Sequence, residues 1–336
     1  MKNIDQYWYQ TDRTPPLKLR LLSVLFGFIA LLRRFAYRIR ILPSAKMSVP
    51  LIVIGNITAG GSGKSPMVIW LANALRSRGY TPGIISRGYG GKANSWPQLV
   101  RPDGDPGSVG DEAIMIARRT RCPMVVGPQR VKAARALVKH WPEVDVILSD
   151  DGMQHYALRR DVEICIVDGE RRLGNGYFLP AGPLREPASR LGCVDLVICN
   201  GGTAQAQEHA MHFNAKALIG VNQVTKSADL ADFAGQTVHA VAGIGYPERF
   251  FRVLEQAGIT VIGHPFPDHH AFWEEDISFG DDLPVFMTEK DAVKCERFQA
   301  KSFWFLPVEA DFSVADSERM LELIIHKIKN GIKNGQ

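Results

Sequence analysis

Residues Thr58-Ala59-Gly60-Gly61-Ser62-Gly63-Lys64-Ser65 bring glycines, a lysine and a hydroxyl together directly after the apolar run Leu51-Ile52-Val53-Ile54. The order is strand, glycine-rich turn, then Gly-Lys-Ser opening a helix. Glycines let several backbone N–H groups converge on one anion, and the helix that follows adds its positive N-terminal end. In such a cradle Lys64 reaches the β and γ phosphates, and the Ser65 hydroxyl ligates Mg²⁺. Thr58 stands where the strict pattern has Gly; the other positions conform. A plain turn between strand and helix would not need the Lys-Ser pair at its end. The segment therefore predicts a nucleoside triphosphate site.

Other reactive side chains follow further strand-like runs. Asp150-Asp151-Gly152 closes the run from Val144 to Ser149, and a carboxylate at the end of a neighbouring strand is where P-loop enzymes place a second Mg²⁺ contact. Asp-Asp-Gly is also an ordinary turn, so its weight comes from the glycine loop beside it. Gly110-Asp111-Glu112 precedes the apolar-periodic Ala113 to Ala117. The helix dipole favours acids in a first turn, so a catalytic role does not follow from these residues alone. Ser86-Arg87-Gly88-Tyr89-Gly90-Gly91 is a second glycine-rich segment, able to approach a ligand or simply to turn. Arg130 and Arg185 can each neutralise phosphate, or form surface ion pairs. His269-His270 falls in a loop, and Thr288-Glu289-Lys290-Asp291 closes a later strand with no role that first principles assign. No Asn-Lys-x-Asp or Thr-Lys-x-Asp guanine-reading motif is present, because Thr225-Lys226-Ser227 continues into Ala228. ATP is the expected nucleotide.

The elements that must position these residues alternate. Strand-like runs at 51–55, 82–86, 123–127, 144–149, 162–167 and 194–199 are interleaved with helical patterns at 65–78, 111–120 and 129–141. This alternation predicts an α/β, P-loop NTPase-type, mostly parallel sheet with flanking helices. The polar stretch 200–210 interrupts it. Runs at 216–221, 237–243, 259–263, 284–288 and 302–308, with helical patterns at 247–257 and 316–329, suggest a second, smaller α/β domain. The expected division is 1–45 as an N-terminal helix, 46–210 as the P-loop domain and 211–330 as a smaller α/β domain.

Charge is localised. Across 336 residues the net charge is +5. Residues 1–42 carry eight basic and two acidic groups, net +6, which leaves −1 for the remainder. That distribution gives no broad nucleic-acid surface. Five cysteines without a Cys-x-x-Cys pair indicate neither a disulfide framework nor a zinc site, and a reducing compartment fits. Between Arg20 and Arg33 the chain is uncharged for 12 residues, Leu21 to Leu32, short of the ~20 a spanning helix needs. The Pro15-Pro16 pair, the acids before it and the lack of a small-residue cleavage site argue against a signal peptide. Cationic flanks on both sides of an apolar stretch predict a helix lying in a membrane interface. The alternative is a buried helix with arginines at its ends.

Taken together, these segments resemble the tetraacyldisaccharide 4′-kinase family, the lipid A 4′-kinases of Gram-negative bacteria. The resemblance rests on Gly55-Asn56-Ile57-Thr58 running into the glycine loop with Pro66 after it, Ser86-Arg87-Gly88-Tyr89-Gly90, Val109-Gly110-Asp111-Glu112 and Asp150-Asp151-Gly152-Met153-Gln154-His155. It extends to Pro180-Ala181-Gly182-Pro183-Leu184-Arg185-Glu186 and Thr288-Glu289-Lys290-Asp291-Ala292-Val293-Lys294. Thr58 is usual in that family; Ser65 and Met153 stand where it usually has Thr and Phe. The resemblance implies transfer of the ATP γ-phosphate to the 4′-hydroxyl of tetraacyl disaccharide 1-phosphate, giving lipid IVA. It implies Asp111 as catalytic carboxylate supported by His269 from the second domain, and Asp150 and Asp151 beside Mg²⁺. Arg130 and Arg185 fall near phosphates, together with Lys64. An acylated substrate places the protein on the cytoplasmic face of the inner membrane. Two other classes stay open: a kinase or ligase for a soluble small molecule, and a membrane-recruited ATPase switch.

Overall fold

In the computed structural model, residues 7–10, 13–222, 225–298 and 302–333 are described. Residues 1–6, 11 and 12 of the predicted N-terminal segment lie outside them. In chain order the elements are α1 (Leu17–Arg38), β1 (Leu51–Gly55), α2 (Lys64–Ser77), β2 (Pro82–Ser86), β3 (Gln98–Leu99), α3 (Pro106–Val109), α4 (Asp111–Thr120), β4 (Met124–Val126), α5 (Arg130–His140), β5 (Val146–Asp150) and β6 (Val162–Asp168). There follow β7 (Leu196–Asn200), β8 (Glu208–Asn214), β9 (Ala217–Gly220), β10 (Ser227–Asp229), β11 (Thr237–Ala242), α6 (Pro247–Gln256), β12 (Thr260–Pro265), β13 (Val285–Thr288), α7 (Glu289–Cys295), β14 (Phe303–Leu306), β15 (Glu309–Asp311) and α8 (Val314–Lys333).

Two sheets result. The larger runs β15-β8-β7-β6-β1-β5-β2-β4-β3, and its seven inner strands are parallel. Only the edge strands β3 and β15 are antiparallel. The core residues of β1, Leu51 to Ile54, are wholly buried, as strands covered on both faces must be. Because β1 is flanked by β5 and β6, the chain reverses its direction of winding there, and ligands bind at the carboxyl ends of strands at such a point. The smaller sheet runs β10-β9-β14-β13-β11-β12, parallel over its last four strands.

The predicted α/β architecture is the observed one, with differences at the seam between the sheets. The larger sheet continues past residue 210 through β8, which begins inside the polar stretch at 200–210. It also takes back β15, and α8 packs Met320, Leu321, Ile324 and Ile328 into the same core as β6. Pairing at long sequence separation drives both additions. A three-residue edge strand such as β15 has too short a pattern to announce itself.

Helix α1 begins after Pro16 and makes a narrow contact with the rest of the molecule. Only Ser23 and Gly27 are buried along it. A Cβ on Gly27 would come within 2.6 Å of the Phe178 ring, so glycine permits the close approach. Arg20 lies 5.8 Å from the centroid of the Tyr177 ring, and Arg33 lies 6.0 Å from that of Tyr156. Most of the large apolar side chains from Leu17 to Phe35 are exposed, Val24 at 71% and Phe28 at 63%, while Leu19 and Phe26 are partly covered.

Candidate active site

The glycine loop leaves the carboxyl end of β1 and delivers Lys64 and Ser65 to the first turn of α2. Gly63 holds the cap position with φ +91°, in the left-handed region. A Cβ there would overlap the Asn200 amide, which itself donates to the Ser62 carbonyl at 2.9 Å. Gly60, at φ +100°, makes the other left-handed bend.

The loop opens into a cavity of about 450 Å³ between the two sheets. Its walls carry Gly60 to Ser65, Asp150, Asp151 and Arg185 from the larger unit, and Asp268, His269 and Lys290 from the smaller. The sequence-predicted residues Lys64, Ser65, Asp150, Asp151, Arg185 and His269 thus share one space. Thr58 and Ala59 lie behind it: Thr58 is buried, and the Ala59 N–H donates to the Pro183 carbonyl at 2.8 Å. Arg130, expected among the phosphate contacts, is also off the wall. It is buried and donates to the Gly127 carbonyl at 2.8 Å and to the Asp150 carbonyl at 3.5 Å.

Charges in the cavity are strongly coupled. Lys64 Nζ lies 3.7 Å from Asp151 Oδ1, and Arg185 lies 3.5 Å from the same oxygen. Burial works against the Asp151 carboxylate, but Lys64, Arg185 and Arg130 hold it below its ordinary range. Asp150 behaves oppositely. Its burial, with Glu112 and Asp151 nearby, pushes the carboxyl up to about 7, although Ser86 Oγ donates to it at 3.0 Å. Asp150 Oδ1 has no hydrogen-bond partner among the described residues. The Ser65 hydroxyl donates to Glu112. An orphaned buried carboxylate oxygen and a hydroxyl on the walls of one cavity are oxygen donors of the kind Mg²⁺ prefers. No cluster of three acidic, histidine or cysteine side chains among the described residues makes a cage by itself. A cation here would need phosphate oxygens as well, which is the usual manner of Mg²⁺.

On the facing wall, Asp111 opens α4 and is 5% exposed. His269 Nδ1 lies 3.1 and 3.3 Å from its two carboxylate oxygens, and Lys294 Nζ lies 3.5 Å away. Burial would raise the Asp111 pKa, but His269, Lys290 and Lys294 together bring it down to about 2. His269, not Asp111, reaches the cavity wall. Its backbone is in the left-handed region at φ +62°, and Asp151 is too, at φ +46°. Non-glycine residues hold such conformations at a cost that the surrounding contacts must offset, and they cluster at functional sites.

Lys290 and Asp268 complete this corner, and the residues alone had not assigned either. Lys290 Nζ lies 2.8 Å from Asp268 Oδ1 and 3.4 Å from His269 Nε2. The segment Thr288-Glu289-Lys290-Asp291 explains its placement. Thr288 caps α7 by accepting from the Asp291 N–H, and wholly buried Asp291 accepts from Thr288 Oγ1 at 2.6 Å and from the Gly243 N–H at 2.8 Å. Asp291 also pairs with Lys294 at 2.8 Å. These bonds orient α7 so that both lysines face Asp111. Glu112 was legible only as a first-turn acid; its adjacency to Ser65 arises from the packing of α2 on α4.

Comparison with known proteins agrees over nearly the whole chain. The sequence model of the tetraacyldisaccharide-1-P 4′-kinase family matches residues 16–329. A tetraacyldisaccharide 4′-kinase of Methylobacillus flagellatus is 52% identical over 318 residues, 95% of this chain and 94% of that one. One of Nitrosococcus oceani is 50% identical over 319 residues, covering 95% and 93%. The crystal structure of the apo form of LpxK from Aquifex aeolicus in complex with ATP superposes with a TM-score of 0.74 at 25% identity, covering 91% of this chain and 97% of the other. The chain belongs to the tetraacyldisaccharide-1-P 4′-kinase family.

Proposed function

We propose that this protein transfers the γ-phosphate of ATP to the 4′-hydroxyl of tetraacyl disaccharide 1-phosphate, giving lipid IVA, at the cytoplasmic face of the inner membrane. One observation carries the reading: a single cavity holds a P-loop with its lysine and hydroxyl on one side and, on the other, His269 hydrogen-bonded to Asp111 just behind the wall. In phosphoryl transfer the protein's work is positioning and charge stabilisation. Lys64 and Arg185 now rest on Asp151, and are free to turn to the β and γ phosphates when ATP enters. Ser65, Asp150 and Asp151 would hold Mg²⁺, which supplies neutralisation of phosphate charge. Arg130 acts from behind Asp150, where its charge helps keep Asp151 ionised. The acceptor hydroxyl gives its proton to the Asp111–His269 pair, which is joined by a hydrogen bond. The smaller domain contributes half of the site and so acts as its lid.

The N-terminal helix supports the membrane location. No helix among the described residues is long and apolar enough to cross a membrane. Yet α1 exposes apolar side chains along nearly its whole length, between cationic ends. Burying one such side chain is worth roughly 1.5–3 kcal/mol, so a face of this extent calls for a non-aqueous cover.

The test is incubation of the purified protein with γ-³²P-ATP, Mg²⁺ and tetraacyl disaccharide 1-phosphate in mixed micelles, with Lys64→Ala and Asp111→Ala in parallel. A labelled bis-phosphorylated lipid, lost in both variants, is expected. ATP consumption without labelled lipid would replace the kinase with an ATPase switch.

A further inference from the structure

Lys290 is a donor beside a histidine nitrogen, and this has a consequence for where the site's resting proton lies. An ammonium has three N–H donors and no lone pair. At 3.4 Å from His269 Nε2, Lys290 can only be accepted by that nitrogen. A neutral imidazole carries a single proton, so Nδ1 must bear it. Nδ1 faces the Asp111 carboxylate at 3.1 Å, which when ionised can only accept that proton's hydrogen bond. Both ends of the ring are thereby specified.

We infer that Lys290 is a positioning residue that keeps His269 uncharged and in its Nδ1–H tautomer, so that Asp111 and His269 enter each cycle with capacity for the acceptor's proton. The inference rests on the kinase reading. Every group around the ring agrees with it. From α4 come Asp111 and, further off, Glu112, which with Asp111 stabilises the Lys290 charge. From α7 come Lys290 and Lys294, the latter 3.5 Å from Asp111. The ring's own loop supplies Asp268, 3.7 Å from Nε2 and beyond hydrogen-bonding reach, while it holds Lys290 at 2.8 Å. His270 points elsewhere, to Asp276 at 2.9 Å. The remaining face is covered by the Tyr89 ring at a centroid distance of 4.6 Å. Lys290 is buried, and burial disfavours its charge, but the neighbouring acids hold it charged.

Removing the ammonium leaves Asp268 as the nearest charge to Nε2. The ring then turns to the Nε2–H tautomer, and Asp111 loses one of the cations that hold its carboxyl down. The experiment uses the full chain in detergent micelles, ¹⁵N-labelled at histidine, with His269→Gln to assign the resonance. Wild type should show an unprotonated Nε2 and a protonated Nδ1. Lys290→Met should show a protonated Nε2, and the acid limb of its kcat/KM profile should move up by about one pH unit. Lys290→Arg, which keeps a donor and a charge, should restore most of both. A wild-type ring protonated on Nε2 overturns the inference, whatever the variant does. So does a Lys290→Met protein with wild-type tautomer and acid limb, including one changed only by a raised KM for ATP, which would assign the lysine to phosphate binding. The spectroscopic arm does not depend on turnover, so a wild type that labels no lipid refutes the kinase reading while the role of Lys290 in setting the tautomer is still decided by the resonances.

Discussion

At the scale of single residues, charge placement decides the chemistry. Lys64 rests on Asp151, and its removal should reduce kcat/KM for ATP by about 10²–10³-fold, as loss of one preorganised charge-stabilising contact does. Asp111 differs in kind, because its carboxylate is held down to about 2 by its cationic neighbours against the effect of burial. Asp111→Asn should cost about 10²–10⁴-fold in kcat with little change in ATP binding. The same depressed pKa carries a stability signature. A carboxyl lowered on folding from 3.8 to about 2 stabilises the native state above its ordinary range. That contribution, about 2 kcal/mol, is lost as pH falls from 4 toward 2. Urea titrations across that window should show the loss in wild type and its absence in Asp111→Asn; parallel curves would contradict the assignment.

At the scale of elements, short segments are placed by caps and turns. Gly63 combines a left-handed backbone with contact against Asn200. Gly63→Ala should therefore destabilise by more than the ~1 kcal/mol of a mere conformational mismatch and should weaken ATP binding. A melt and a nucleotide titration on the same variant check both effects. Thr288 caps α7, and Thr288→Ala should cost about 1–2 kcal/mol. Because α7 carries Lys290 and Lys294, that variant should also lose activity at temperatures where it remains folded. Activity unchanged in the folded variant would show that α7 does not need its cap to position the lysines.

At the scale of the whole molecule, two surfaces are joined by one cavity. Arg119 bridges Glu289 at 2.9 Å and Glu309 at 2.9 Å, fastening α4 to α7. Arg118 adds a second link through Glu296. The exposed face of α1 is independent of these links. Val24→Glu with Phe28→Glu should abolish binding to vesicles containing anionic lipid and depress turnover on membrane-embedded substrate, leaving ATP affinity unchanged. Flotation and nucleotide titration separate the two readouts, and equal losses in both would refute a membrane-docking role for α1.

The amino-acid sequence by itself determined the alternation that becomes the larger sheet, the phosphate cradle and the amphipathic N-terminal helix. Each is a local pattern: glycines at fixed offsets, strand runs of uninterrupted apolar residues, cations flanking an uncharged stretch. Asp150, Asp151 and Arg185 were legible as candidates for the same reason, each lying near a strand end or turn. Tertiary structure alone decided the rest. It returned β15 to the larger sheet and packed α8 on its core, set Arg130 behind Asp150 instead of on the cavity wall, and brought Glu112 to Ser65. It also placed His269 and Lys290, some 158 and more positions along the chain, against Asp111. Such contacts arise when two sheets pack across a cleft, and their partners are set by burial and charge compensation that no window of sequence contains.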